Sequence, residues 1–335
     1  MSPLLLVIAE FVLATLAILW SGVRLSRYGD IIAEKTGLGG TWIGLILLAT
    51  VTSLPELVTG VSSVALFDVP NIAAGDAIGS CMANLVILAM LDIRNPEPLT
   101  ARIHQGHVLS AGFGIVQIGV AALAVLAGVH APVVGWFGVH SLVFVAIYIL
   151  AVRTVFVFER SRLQALAEEL TGDIRYKEIS LRRAVALCAV SSIVLVLAAS
   201  VLPAIGERLS ALTGLEQSFV GTVFVAVSTS LPEVVVSGAA LRIGALDMAV
   251  ANLFGSNLFN IAVLGLDDLV YVRGPLLVDI SGGHLITLSA AMVMTGIAVI
   301  GVTYRARRKR FRLSWDAMGI VAVYVIALVL LRLHT

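Results

Sequence analysis

Apolar stretches of about twenty residues, the length a helix needs to cross a bilayer, recur along the whole chain, each closed by a short polar break. Read against those breaks, the pattern predicts ten spans, at roughly 3–23, 38–66, 71–93, 107–129, 133–155, 182–204, 216–241, 247–271, 283–304 and 315–333. The second and seventh are the long ones, and both contain one five-residue string. It reads Thr52-Ser53-Leu54-Pro55-Glu56 in the first copy and Thr229-Ser230-Leu231-Pro232-Glu233 in the second. Proline withholds a backbone donor and clashes with the preceding turn, so both long helices should break near the midplane. The expectation is an all-α polytopic membrane protein.

Composition agrees with the pattern. Only 13% of the 335 residues are charged and 59% are hydrophobic, whereas a soluble domain carries about 25% charged residues. That excludes a globular soluble enzyme. The net charge of +1 does not point to nucleic acid, because the charges are confined to short loops. Ten spans put both termini on one side, where only Arg208, Arg273 and Arg332 fall; the other nineteen of the 22 Lys and Arg residues fall opposite. The positive-inside rule then places both termini outside the cytoplasm of a cell membrane, plasma or inner. The cluster Arg305–Arg312 reads as a topology determinant in contact with anionic lipid. Cys81 and Cys188, the two cysteines, lie in apolar segments and indicate no disulfide framework. Met1-Ser2-Pro3 supplies no basic n-region, so the first apolar segment reads as a retained helix. No Walker motif, dinucleotide fingerprint or nucleophile–base pattern occurs. The chain is expected not to be an enzyme, to carry no cofactor, and to need only the bilayer, with no obligate protein partner evident.

The chain also repeats itself. Residues 37–63 and 214–240 align at an offset of 177 with ten of 27 positions identical. At an offset of 176, AGDAIGSCMAN (74–84) aligns with VANLFGSNLFN (250–260); further on, Gly106-His107 pairs with Gly283-His284, again 177 apart. An odd number of spans per half makes the halves enter the membrane from opposite sides. The expected organisation is a first five-helix repeat at 1–156, a cytoplasmic linker or surface helix at 157–181, and an inverted second repeat at 182–335. Secondary transporters use this plan, with the substrate at the midplane where broken helices meet.

The repeated residues suit a hard cation. Backbone carbonyls freed at Thr52 and Thr229, hydroxyls of Thr52, Ser53, Thr229 and Ser230, and carboxylates of Glu56 and Glu233 are oxygen ligands of the kind Ca²⁺ takes. A mid-bilayer charge costs roughly 3 kcal/mol, and two at symmetric depths are hard to explain as packing. Residues four apart share a helix face, so Asp76, Ser80 and Asn84 form one polar stripe and Asn252, Ser256 and Asn260 another. Asn84 and Asn260 divide evenly between a ligand role and interhelical hydrogen bonding, whereas Asp76 favours function. Gly75, Gly79 and Gly255 would let helices approach closely.

On these paired motifs the chain resembles the cation/calcium antiporter superfamily, in particular the sodium/calcium exchanger membrane proteins, over essentially its whole length. The resemblance implies ten helices and exchange of Na⁺ against Ca²⁺ by alternating access. It implies Glu56 and Glu233 as principal Ca²⁺ ligands with the carbonyls of Thr52 and Thr229, and Ser53, Ser230, Asp76, Asn252, Ser80 and Ser256 lining sites shared with Na⁺. The chain departs from the family where Val51 and Ser228 replace glycine, where Cys81 replaces an asparagine, and where Asp76 faces a neutral mate, Asn252. Cation/proton exchange with Asp76 cycling a proton, or a K⁺-dependent variant, is the alternative; a cation channel is the weaker one. Among other polar residues, Glu10 lines an outer path or pairs near the headgroups. His107 and His284 read as interfacial anchors, and Asp92, Asp267 and Asp268 as interface residues closing the third and eighth spans.

Overall fold

A computed structural model of the protein describes residues 2–36, 50, 52–93, 95, 97–169, 179–242, 246–306, 308–309 and 312–334. The first half comprises α1 (Pro3–Thr36), α2 (Leu54–Ala65), α3 (Pro70–Ile93), the short α4 (Leu99–Arg102) and α5 (His107–Ala127). A strand pair, β1 (Val133–Val134) and β2 (Phe137–Gly138), then leads into α6 (Val139–Glu169). The second half comprises α7 (Leu181–Thr213), α8 (Gln217–Val220), a π turn at Gly221–Val225, α9 (Ala226–Thr229) and α10 (Leu231–Arg242). It ends with α11 (Leu246–Val270), the short α12 (Leu276–Asp279), α13 (His284–Tyr304) and α14 (Trp315–His334). The bounds of α2, α4 and α5 recur in α10, α12 and α13 at an offset of 177.

The protein is an all-α polytopic membrane protein. Among the described residues seven helices are long and apolar enough to cross a membrane, and the bent pair Gln217–Thr229 and Leu231–Arg242, counted as one broken span, brings the number to eight. Val139–Val155 is a shorter apolar helix. The first part of the predicted 38–66 span, Val51, and residues 170–178 of the predicted linker lie outside the described residues.

Two boundaries differ from expectation. The first helix does not stop near residue 23 but continues to Thr36, because Tyr28 and Ile31 pack with Ala184 of α7. Arg24 stays on this extension with its guanidinium 4.2 Å over the Trp20 ring, a cation–π contact. The segment predicted to start a span at 133 instead folds as a hairpin, Val133 opposite Gly138 and Val134 opposite Phe137. Gly135 in its turn has φ +65°, a conformation glycine adopts without strain.

Helices α3 and α11 form the centre. Their most apolar windows are 94% and 78% buried, against 22% to 28% for α1, α5, α7 and α14. Lipid provides no hydrophobic drive between helices, so close packing of small residues holds them. A Cβ on Gly75 would lie 2.9 Å from Gly221 Cα, and one on Gly79 would lie 2.7 Å from the Thr222 carbonyl oxygen. The two backbones therefore touch directly.

Asp92 and Asp268, at the ends of α3 and α11, are 2% and 0% exposed and tie distant segments together. Asp92 accepts from Leu99 N and Ser314 N at 2.7 Å each and pairs with Lys309 at 3.0 Å. Asp268 accepts from Leu276 N at 2.5 Å, from Gly138 N at 2.8 Å and from the Ser141 hydroxyl. Burial thus comes with full satisfaction, which a buried carboxylate requires. Asp267 is likewise fully buried, yet it accepts no hydrogen bond. His107 and His284, the first residues of α5 and α13, are also buried, at 4% and 0% exposure. Asp247 Oδ1 holds His107 at 3.0 Å and accepts from His104 N at 2.7 Å. In the repeat position, Asn71 accepts from Ser281 N at 2.6 Å. Glu10 pairs with Arg208.

Candidate functional site

Both five-residue strings break their helices at the same backbone angles. Ser53 has φ −91° and ψ 10°, and Ser230 has φ −83° and ψ 4°, the sparsely populated bridge region. Each proline then sits at the start of the following helix, where its missing N–H is tolerated. The two limbs around Ser230 meet at 43°. The π turn at Gly221–Val225 lies in the limb before the break; such turns gather at functional sites.

The breaks bring the two halves together side chain to side chain. Ser53 Oγ donates to Glu233 Oε1 at 3.2 Å, and Ser230 Oγ donates to Glu56 Oε1 at 3.4 Å, so each serine serves the other half's glutamate. Thr229 Oγ1 donates to Asp76 Oδ1 at 2.7 Å, and Thr52 Oγ1 reaches Asn252 Oδ1 at 3.5 Å. Ser80 lies 3.4 Å from Thr229 Oγ1, while Ser256 lies 3.0 Å from Ser53 Oγ and 3.4 Å from Glu233 Oε1. All ten predicted side chains are therefore assembled in one region, and each is 2% exposed or less.

The arrangement leaves specific atoms free. Glu56 Oε2, Glu233 Oε2 and Asp76 Oδ2 are buried and accept no hydrogen bond. Among the described residues no Lys, Arg or His pairs with any of the three. Each carboxylate is thus oriented through one oxygen and unpartnered through the other. Uncompensated negative charge at this depth is expensive, and a cation offsets it. Among the described residues no three His, Cys, Asp or Glu side chains converge as a metal cluster. Any cation here shares its shell with hydroxyl, amide and backbone oxygen, as hard ions accept.

The asparagines divide. Asn84 Nδ2 donates to Asn257 Oδ1 at 3.0 Å, and Asn257 Nδ2 donates to the Cys81 carbonyl at 3.2 Å. Asn84 is therefore interhelical bonding. Its mate Asn260 meets no matching amide, because the position that would supply one holds Cys81, whose thiol lies beside the Asn260 side chain. Sequence reading missed Ser237, whose Oγ lies 3.5 Å from Asn252 Nδ2. Its signal was a polar residue one helical turn after Glu233 where the first half has Gly60.

Comparison with known proteins follows this geometry. A family profile described as sodium/calcium exchanger protein matches residues 6–157 and 183–333. The inner membrane protein YrbG of Escherichia coli (strain K12) is 26% identical over 277 residues, 80% of this chain and 81% of that protein. The sodium/calcium exchanger MaX1 of Methanosarcina acetivorans is 33% identical over 121 residues, 36% of this chain and 32% of that protein. Among solved structures, the sodium-calcium exchanger NCX_Mj matches with a TM-score of 0.60 at 20% identity, covering 97% of this chain and 99% of its own. The H⁺/Ca²⁺ exchanger CAX matches with a TM-score of 0.68 at 14% identity, covering 98% and 86%. At these identities the structural likenesses speak to the fold.

Proposed function

The chain belongs to the sodium/calcium exchanger protein family, and from that premise we propose that it exchanges Na⁺ for Ca²⁺ across a cell membrane by alternating access. One observation carries the reading: three buried carboxylates, each held by a hydroxyl and each keeping one oxygen free. Glu56 and Glu233 are the principal Ca²⁺ ligands, completed by the carbonyls of Thr52 and Thr229 and by water. Ser53, Ser230, Asp76, Asn252, Ser80 and Ser256 line positions shared with Na⁺.

Charge supplies the coupling. One Ca²⁺ neutralises the two glutamates, and two or more Na⁺ do the same in the same oxygen cage, so the ions exclude each other. A filled site carries little net charge and can change its exposure from one face to the other. A partly filled site leaves bare carboxylate in a low-dielectric interior and resists the change. Inverted halves, 1–156 and 182–335 around the linker, would give the two exposures matching geometries, with both termini outside the cytoplasm.

Flux settles the counter-ion. In vesicles containing the purified protein, radiolabelled calcium uptake should follow an imposed Na⁺ gradient and ignore a pH or K⁺ gradient. Uptake driven by the pH gradient alone would move the reading to cation/proton exchange, with Asp76 as the proton carrier. Uptake without any counter-ion on the far side would make the protein a channel.

A further inference from the structure

Among the described residues, one buried carboxylate outside the site just described is unpartnered through both oxygens. Asp267 sits near the end of α11 with 0% exposure, and neither oxygen has a hydrogen-bond partner. It is wedged against Gly60 of α2: a Cβ there would lie 2.3 Å from Oδ2 and 2.7 Å from Oδ1. Only a glycine admits it. Gly60 follows Glu56 by one helical turn, about 6 Å along α2. The repeat shows this seat to be particular to one half, since the mate of Gly60 is Ser237 and the mate of Asp267 is Leu91.

Among the described residues no ion pair or hydrogen bond neutralises it. On its own helix Asp268 is occupied by Leu276 N, Gly138 N and Ser141. Across from α11, α3 brings Asp76, within electrostatic range, together with Cys81; α2 brings Glu56 and α10 brings Glu233. From α6 come His140, whose Nε2 lies 3.7 Å from Asp268 rather than Asp267, and Tyr148, packed edge-to-face with Phe259. From α5 the ionisable residue is His107, committed to Asp247. A hard metal ion needs about six oxygens, whereas Asp267 faces the bare backbone of Gly60. A proton is the one cation that needs no cage.

We infer that Asp267 is a proton-binding site, a neutral carboxylic acid wedged between α11 and α2 beside the helix that carries Glu56. While the proton is bound, the acid packs against Gly60 and the seam between the helices is closed. Loss of the proton to water leaves an unpaired carboxylate in a dry contact, so α2 and α11 must part enough to hydrate it. The proposal goes beyond the exchange reading and does not depend on which ions are exchanged.

Infrared difference spectroscopy on the protein in vesicles tests it without any flux, so its failure and that of the exchange reading are separable. With ¹³C-labelled aspartate, the wild type should show a protonated aspartic-acid carbonyl band that is lost as pH rises, and Asp267→Asn should lack it. Gly60→Ala should shift that band by displacing the acid, while Gly238→Ala, with open space around it, should not. Should Asp267→Asn fail to fold, the labelled wild type and Gly60→Ala still decide. A band unchanged in Asp267→Asn, one unmoved by Gly60→Ala, or no protonated aspartate band at any pH would overturn the assignment.

Discussion

The two broken helices share a backbone and differ in company. Around Ser53 and Ser230 the dihedrals agree within about 10°, and each serine bonds the opposite glutamate. Around them the likeness stops: Asp76 stands where the other half has Asn252, and Cys81 where it has Asn257. Common geometry therefore locates the oxygens, and the differences decide how much charge and how many amide bonds surround them. Thr229 bonds Asp76 at 2.7 Å whereas Thr52 reaches Asn252 at 3.5 Å, so of two matched contacts the one to a carboxyl group is the shorter.

Substitutions can break this comparison or sharpen it. The largest effect should come from Glu56→Gln or Glu233→Gln, which removes half the paired charge. Calcium uptake into Na⁺-loaded vesicles should fall by about two orders of magnitude, on the order of 3 kcal/mol. Retained exchange in either variant would sink the ligand assignment. Asp76→Asn makes the halves alike and should weaken competition by Na⁺ about tenfold, roughly 1.4 kcal/mol. An unchanged Na⁺ dependence would mean that Asp76 lies outside the ion's reach.

Stability tests probe the packing beneath the same two helices. Gly79→Ala drives a methyl into the Thr222 backbone and should cost about 1–3 kcal/mol, read as a lower thermal midpoint in detergent. An equal midpoint would mean that the crossing relaxes freely. Smallest should be Cys81→Asn, which restores the missing amide opposite Asn260. It should raise the midpoint by the worth of one hydrogen bond, about 1 kcal/mol; a fall would show that the thiol's smaller volume, not its chemistry, suits the site.

Much of this was legible in the sequence because lipid is a severe solvent. Spanning segments must be long, apolar and internally hydrogen-bonded, so α3, α5, α11, α13 and α14 appear close to their expected bounds. That ten polar side chains would gather in one buried region was legible too, because buried polar atoms stand out in an apolar background and occur twice. What escaped depended on chain segments far apart. The burial of Asp92 needs Ser314, and that of Asp268 needs Gly138 and Ser141. The division between Asn84 and Asn260 turns on a third position, Cys81, which neither stripe contains. The extension of α1 depends on Ala184, whose packing against Ile31 no local periodicity announces.

The contact of Gly75 with Gly221 has a mechanical consequence. Elsewhere in the core, sliding one helix past another means lifting side chains out of their grooves and finding new rotamers. Here, beside the π turn, the backbones meet with nothing interposed. The crossing behaves as a plain bearing: a small rotation of the α8–α9 limb on α3 re-sorts no side chains at that point. Resistance to movement then falls on the hydroxyl–carboxylate bonds a few ångströms away, the same bonds that an arriving ion would loosen.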